Sequence, residues 1–230
     1  MKKRIGIVVA IELDAVLARY GSECLIKESH GHTVREYENE NCVILVTDSG
    51  AGEISAASAA QFLISECAVD IIVNFGVVGG LTEKMSTAEL CVVEKVIHYD
   101  YDTTGWLNLG RGRYPGHDSA YVYTSHDLIE TALSVRPDLM KVTCASADKF
   151  VDDERSKKEL HEKYGADICE MEAAGIVLTC EKCGVPCLLV KSVSDSLTGG
   201  GKEFMKELSR VSSLCFDVVD GIIVRLSQEE

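Results

Sequence analysis

Apolar positions along this chain gather into short runs separated by longer amphipathic stretches. The runs Arg4 to Ala10, Cys42 to Thr47, Val69 to Val73, Leu90 to Ile97, Lys141 to Ala145 and Pro186 to Val193 have the length and composition of buried strands. Segments with helical spacing lie between or after them: Leu13 to Tyr20, Ile54 to Glu66, Ser156 to Tyr164, Met171 to Lys182 and Lys202 to Leu226. Strands that alternate with helices predict an α/β fold whose sheet is mostly parallel and covered on both faces. No linker or internal repeat interrupts the pattern, so residues 1–230 are expected to form a single domain.

In such sheets the chemistry gathers at the carboxyl ends of the strands. Those ends read Ile11-Glu12-Leu13-Asp14, Ser49-Gly50-Ala51-Gly52, Asn74-Phe75-Gly76-Val77-Val78-Gly79-Gly80, Ser146-Ala147-Asp148-Lys149-Phe150 and Ser194-Asp195. Each alone is an ordinary strand-to-helix turn, but together they place carboxylates and glycines at one end of the sheet. The pair Glu170 and Glu172 is expected to open the next helix and add two further acids. Neither glycine segment has the G-x-G-x-x-G spacing of a dinucleotide site, and neither is followed by a P-loop Lys. Nicotinamide and ATP chemistry are therefore disfavoured.

Charge narrows the partners. With 23 basic and 37 acidic residues the net charge is −14, which repels phosphate backbones and anionic membranes, so neither nucleic acid nor a membrane is expected as a partner. The apolar run after Lys2-Lys3-Arg4 stops at Glu12 without a small-residue cleavage site, and no stretch approaches a bilayer span, so a cytoplasmic location is expected. Most of the ten cysteines sit in or beside apolar runs and read as reduced core residues. Cys180-x-x-Cys183-x-x-x-Cys187 begins with metal-like spacing but has no fourth ligand nearby, so no metal is expected.

Five segments carry a resemblance: Asn74-x-Gly76-x-x-Gly79-Gly80-Leu81, Tyr99-Asp100-x-Asp102-x-Thr104, Ser146-x-Asp148-x-Phe150-Val151, Glu170-Met171-Glu172-Ala173-Ala174 and Val193-Ser194-Asp195. In these the chain resembles the nucleoside phosphorylase superfamily, and within it the 5′-methylthioadenosine/S-adenosylhomocysteine nucleosidases, almost from end to end. The resemblance implies a single domain with a mixed central β-sheet flanked by helices. It also implies cleavage of the purine N9 to ribose C1′ bond without a cofactor, through a sugar resembling an oxocarbenium ion.

The resemblance implies a role for each matching residue. Asp195 would protonate purine N7, buried beside apolar side chains and oriented by Ser194. Glu172 would accept hydrogen bonds from the ribose hydroxyls, with Met171 lining the sugar pocket and Glu170 a secondary ligand. Phe150 would stack on the purine, and the backbone of Val151 would read the adenine edge. Gly79 belongs to the glycine segment beside the substrate. The loop from Tyr99 to Gly116 would help form a homodimer.

The match breaks where the nucleophile belongs. The family's Ala-Met-Glu-Glu-Glu reads Ala10-Ile11-Glu12-Leu13-Asp14 here, so the resemblance puts the water-activating base on Asp14, about 1.5 Å shorter in reach. Val77 replaces a usual Ser, Lys191 a usual Arg, and Ala51 an apolar pocket residue. Two alternatives stay open: phosphorolysis, disfavoured because no Arg lies in Val9 to Leu17 or Ile71 to Gly76, and binding of adenine nucleosides without turnover.

Overall fold

The computed structural model describes residues 2–228. Its elements are β1 (Lys3–Val9), α1 (Leu13–Tyr20), β2 (Leu25–Ser29), β3 (His32–Glu38), β4 (Cys42–Asp48), α2 (Glu53–Ser65), β5 (Ile71–Gly80), β6 (Leu90–His98), α3 (Thr104–Leu107), β7 (Tyr121–Tyr123), α4 (His126–Val135), β8 (Met140–Ser146), α5 (Glu154–Tyr164), β9 (Ile168–Glu170), α6 (Ala173–Cys183), β10 (Cys187–Asp195) and α7 (Gly201–Leu226).

All strands belong to one sheet in the order β10-β6-β8-β9-β5-β1-β4-β3-β2, with β7 added beside β6. A further pairing of β10 with β5 closes β5, β10, β6, β8 and β9 into a ring, and the remaining strands extend from it as an open wing. The sheet is mixed. The parallel pairs β1–β4, β1–β5, β5–β10, β6–β8 and β8–β9 are matched by as many antiparallel ones, so the mostly parallel sheet expected from strand–helix alternation is corrected.

Alternation along the strands makes two cores. Ile5, Ile7 and Val9 of β1 face α1, α4 and α7, packing with Val16, Ile129, Phe216 and Ile222. Val8 faces the other way, toward Ala56, Ala60 and Leu63 of α2 and Ile176 and Val177 of α6. Burying each aliphatic side chain contributes about 1.5–3 kcal/mol, so both faces must stay covered. A third, smaller core under α5 joins Leu81, Ile97, Val151 and Leu160.

Two boundaries differ from the sequence pattern in ways that shape the site. The glycine segment 74–80 is strand, not turn: β5 runs through it and pairs with β10 as far as Gly79. Gly80 is required there because a Cβ would collide with the Met85 carbonyl. Glu170 ends β9, and Glu172 stands just outside α6 as its N-cap residue, so the acids flank a strand-to-helix link instead of opening a helix at Met171.

Candidate active site

The ends of β1, β5, β9 and β10 meet around a pocket of about 550 Å³, counting its open mouth. Its walls include Glu12, Ala51, Val77, Gly79, Phe150, Glu170, Met171, Glu172, Ser194, Asp195 and Phe204. Of the residues predicted from sequence, Val151 lies behind this wall, in a small adjoining cavity shared with Phe150, Met171 and Asp195. Lys191 and Asp14 are outside the lining.

Asp14 is displaced for a local reason. It sits in the first turn of α1, whose buried face carries Ala15 and Val16, and its side chain is exposed. Glu12, the residue before that helix, is buried and belongs to the pocket wall. Its Oε1 accepts from the Val77 amide at 3.0 Å. Its Oε2 accepts from the Ile11 and Ala10 amides at 2.9 and 3.2 Å. Three backbone donors from two strand ends thus fix one carboxylate, and Oε1, which accepts only from Val77, keeps lone-pair capacity for a ligand. Close approach of β5 makes this possible, since Gly76 offers no side chain where the carboxylate lies. The sequence signal was this glycine opposite the acid.

Glu172 and Glu170 are held by the backbone and by a buried cation. Glu172 Oε1 accepts from the Gly52 amide at 2.9 Å. Burial, and then the neighbouring charge of Glu170, push the Glu172 carboxyl up to about 7, against the opposing pull of Lys191 and Gly52. Glu170 accepts from the Ala173 amide and from Lys191 Nζ at 3.1 Å. Burial works against the Lys191 ammonium, but Glu170, Glu172 and Glu12 outweigh it and hold its pKa above the ordinary value. Lys191 therefore faces the acids from behind.

A proton is shared farther back. The Ser146 hydroxyl, with one hydrogen to give, contacts both Glu53 and Glu170, so one of the two acids must donate. Burial and the charge of Glu170 push Glu53 up to about 8, which makes Glu53 the protonated member at neutral pH. The chain of bonds runs from Glu53 through Ser146 to Glu170 and Lys191.

Asp195 closes β10, buried with 1% exposure. Its Oδ1 accepts from the Ser194 hydroxyl at 2.9 Å. The expectation of an acid among apolar side chains is corrected here: Oδ2 receives Lys157 Nζ at 2.6 Å in a fully buried ion pair. Sequence reading missed Lys157 because Ser156-Lys157-Lys158-Glu159 looks like a solvated helix face; its one signal is its i, i+3 spacing from buried Leu160. Phe204 of α7 was also missed; its ring meets Phe150 edge-on, with centroids 5.4 Å apart.

This arrangement can hold a neutral, hydroxyl-bearing ligand against carboxylates, with an aromatic wall on one side and a buried acid–ammonium pair on the other. Residues 4–224 match the model of the phosphorylase superfamily. The chain belongs to that superfamily. A 5′-methylthioadenosine/S-adenosylhomocysteine nucleosidase of Hydrogenovibrio crunogenus is 29% identical over 203 residues, 84% of this chain and 85% of the relative. An aminodeoxyfutalosine nucleosidase of Campylobacter jejuni is 29% identical over 164 residues, 70% of each. Among solved structures, the 5′-methylthioadenosine/S-adenosylhomocysteine nucleosidase of Helicobacter pylori superposes with a TM-score of 0.91 at 24% identity, covering 96% of this chain and 98% of that one. At that identity it shows the superfamily fold, with the mixed sheet and flanking helices described above.

Proposed function

We propose that the chain is a purine nucleoside N-ribosyl hydrolase that cleaves the N9–C1′ bond of 5′-methylthioadenosine/S-adenosylhomocysteine-type adenine nucleosides and releases adenine. One observation carries this reading: the pocket wall holds Glu12, Glu170, Glu172 and Asp195 and no Lys or Arg. A phosphate nucleophile needs cations around it, whereas water needs a base.

Glu12 takes the role first expected of Asp14. Fixed by three amides, it accepts a proton from a water that attacks C1′. Glu172 accepts hydrogen bonds from the ribose hydroxyls, and its charge favours the positive character that grows on the sugar. Met171 and Val77 line the sugar, Ala51 and Gly79 leave room for it, and Glu170 sets the charge of Glu172. Phe150 and Phe204 give the purine an aromatic wall, the Val151 backbone reads its edge, and Asp195, steadied by Ser194, delivers the proton to N7. Lys191 holds Glu170 and Glu172 in place from behind.

Two similar proteins, one acting on 5′-methylthioadenosine/S-adenosylhomocysteine and one on aminodeoxyfutalosine by their names, support an adenine nucleoside as substrate. A homodimer fits the exposed Ile54 and Trp106, 82% and 81% accessible, which leave apolar surface uncovered. The ten free cysteines suit a reducing cytoplasm, and the activity would serve methionine salvage.

The test is incubation of purified protein with methylthioadenosine, adenosylhomocysteine, adenosine and inosine, with and without phosphate, followed by chromatography. Adenine and free sugar formed without phosphate support hydrolysis. A phosphate requirement with ribose 1-phosphate as product establishes phosphorolysis, and no turnover leaves a binding protein.

A further inference from the structure

The Lys157 ammonium reaches Asp195 from behind the pocket wall, as the Lys191 ammonium reaches Glu170. The Lys157 side chain is 0% exposed and that of Asp195 2% exposed, so water does not share their contact. All three of its N–H bonds have acceptors: Asp195 Oδ2 at 2.6 Å, the Ser196 carbonyl at 2.7 Å and the Gly199 carbonyl at 3.0 Å. A buried charge so fully satisfied is costly to assemble, and a carboxyl needed only as a neutral acid has no use for it.

Leaving-group chemistry gives it a use. As the C1′–N9 bond breaks, its electrons move into the purine, and the base departs poorly as an anion in a pocket already holding Glu12, Glu170 and Glu172. The proton is needed late, when the base has become strongly basic, and an ammonium can then serve as donor. We propose that Lys157 and Asp195 work as one unit, in which the Lys157 ammonium is the source of the proton that Asp195 passes to the departing purine. This rests on the nucleosidase reading.

The balance is simple. An Nζ–H bond of Lys157 breaks as an O–H bond forms on Asp195 Oδ2, and that proton moves to N7 as the C1′–N9 electron pair enters the base. The purine leaves neutral, Lys157 is left as an amine beside the Asp195 carboxylate, and the proton lost by the attacking water rests on Glu12. Glu12 releases it to solvent, and one solvent proton restores Lys157. Lys157 touches no substrate atom and is a positioning residue acting through Asp195.

The groups facing the pair are Cys169 of β9 and Glu203 of α7. Burial pushes the Cys169 thiol up to about 12, so it stays neutral. Glu203, despite burial that opposes it, is held below the ordinary range by Thr87 and Ser196. Asp152 lies beyond them, accepting from the Gly201 amide at the start of α7.

Lys157→Met and Lys157→Arg decide the question, measured with methylthioadenosine and with 4-nitrophenyl riboside, whose leaving group needs no proton. Arg keeps the charge but does not give up its proton. Expected is a loss of about 100-fold or more in kcat/KM for adenine release in both variants, with nitrophenol release nearly unchanged. Melting curves check folding, and Lys157→Arg alone decides should the Met variant not fold. Full activity of Lys157→Arg, or equal losses on both substrates, overturns the proposal in favour of charge neutralisation or loop support. Wild-type protein that releases nitrophenol but no adenine overturns it as well, whereas wild-type protein that cleaves neither removes the nucleosidase reading itself.

Discussion

A Cβ on Gly76 would stand 2.8 Å from Glu12 Oε1, so the carboxylate occupies the space that a side chain on β5 would fill. Gly76→Ala is expected to push Glu12 off its amide donors while leaving both cores intact. A misplacement of this size costs on the order of 100-fold in kcat/KM. Glu12→Gln should cost about 100- to 10,000-fold through loss of the base, and Asp14→Asn should stay within about twofold of wild type, as a surface change does. Steady-state kinetics on the three variants separates the two acids. A large loss in Asp14→Asn with a mild one in Glu12→Gln would return the base to Asp14.

Why the motif pointed to an acid outside the pocket is a matter of where the helix starts. The family pattern aligns Asp14 with the base, but α1 begins at Leu13, so Asp14 is already helical and turns outward while Glu12 stays at the strand end. The apolar runs announced β1, β4, β6, β8 and β10 because those strands are buried on both faces. The β2–β3 hairpin escaped because all five residues of β2 are exposed, and its turn at His30-Gly31 lacks a familiar turn pair. Glu172, Asp195, Phe150 and Met171 were legible because they stand in contiguous motifs. Lys157 and Phe204 were not, because only folding brings α5 and α7 against the end of β10.

Asp195→Asn is expected to do two things at once. Purine release should fall by about 100- to 10,000-fold. Stability should also fall, by about 3–5 kcal/mol, because the Lys157 ammonium is left buried without its counter-charge. Adding Lys157→Met should restore much of the stability and none of the activity. Denaturant titration beside kinetics reads both, and a double variant no more stable than Asp195→Asn would show that the pair contributes little to folding.

Glu53 makes stability depend on pH. Its carboxyl is pushed up to about 8 in the folded protein, well above the roughly 4.3 of an unfolded chain. The folded state therefore binds a proton that the unfolded state has released, and this contribution is complete below about pH 4 and is lost as pH rises through 8. Melting temperature should decline across pH 5 to 8. Glu53→Gln, whose neutral amide can still donate to Ser146 and accept from Gly175, should flatten that decline and be the more stable form above pH 8. Equal slopes in the two proteins would assign the pH dependence elsewhere.

Glu172 should give catalysis a limb of its own. Burial and the charge of Glu170 raise its carboxyl to about 7, so below that pH it is a neutral acid and above it a carboxylate, and a sugar held in the proposed way would bond more strongly to the latter. Hydrogen bonds to a charged acceptor contribute about 1.5–3 kcal/mol, equivalent to roughly 10- to 150-fold. With methylthioadenosine, kcat/KM should climb with pH through 7 and then level. Glu172→Gln should remove the climb and hold kcat/KM down by about that factor at pH 8. Lys191→Met should move the limb upward, since Lys191 opposes the rise in the Glu172 pKa. A limb that survives unchanged in Glu172→Gln would belong to another group, and the sugar clamp would have to be reassigned.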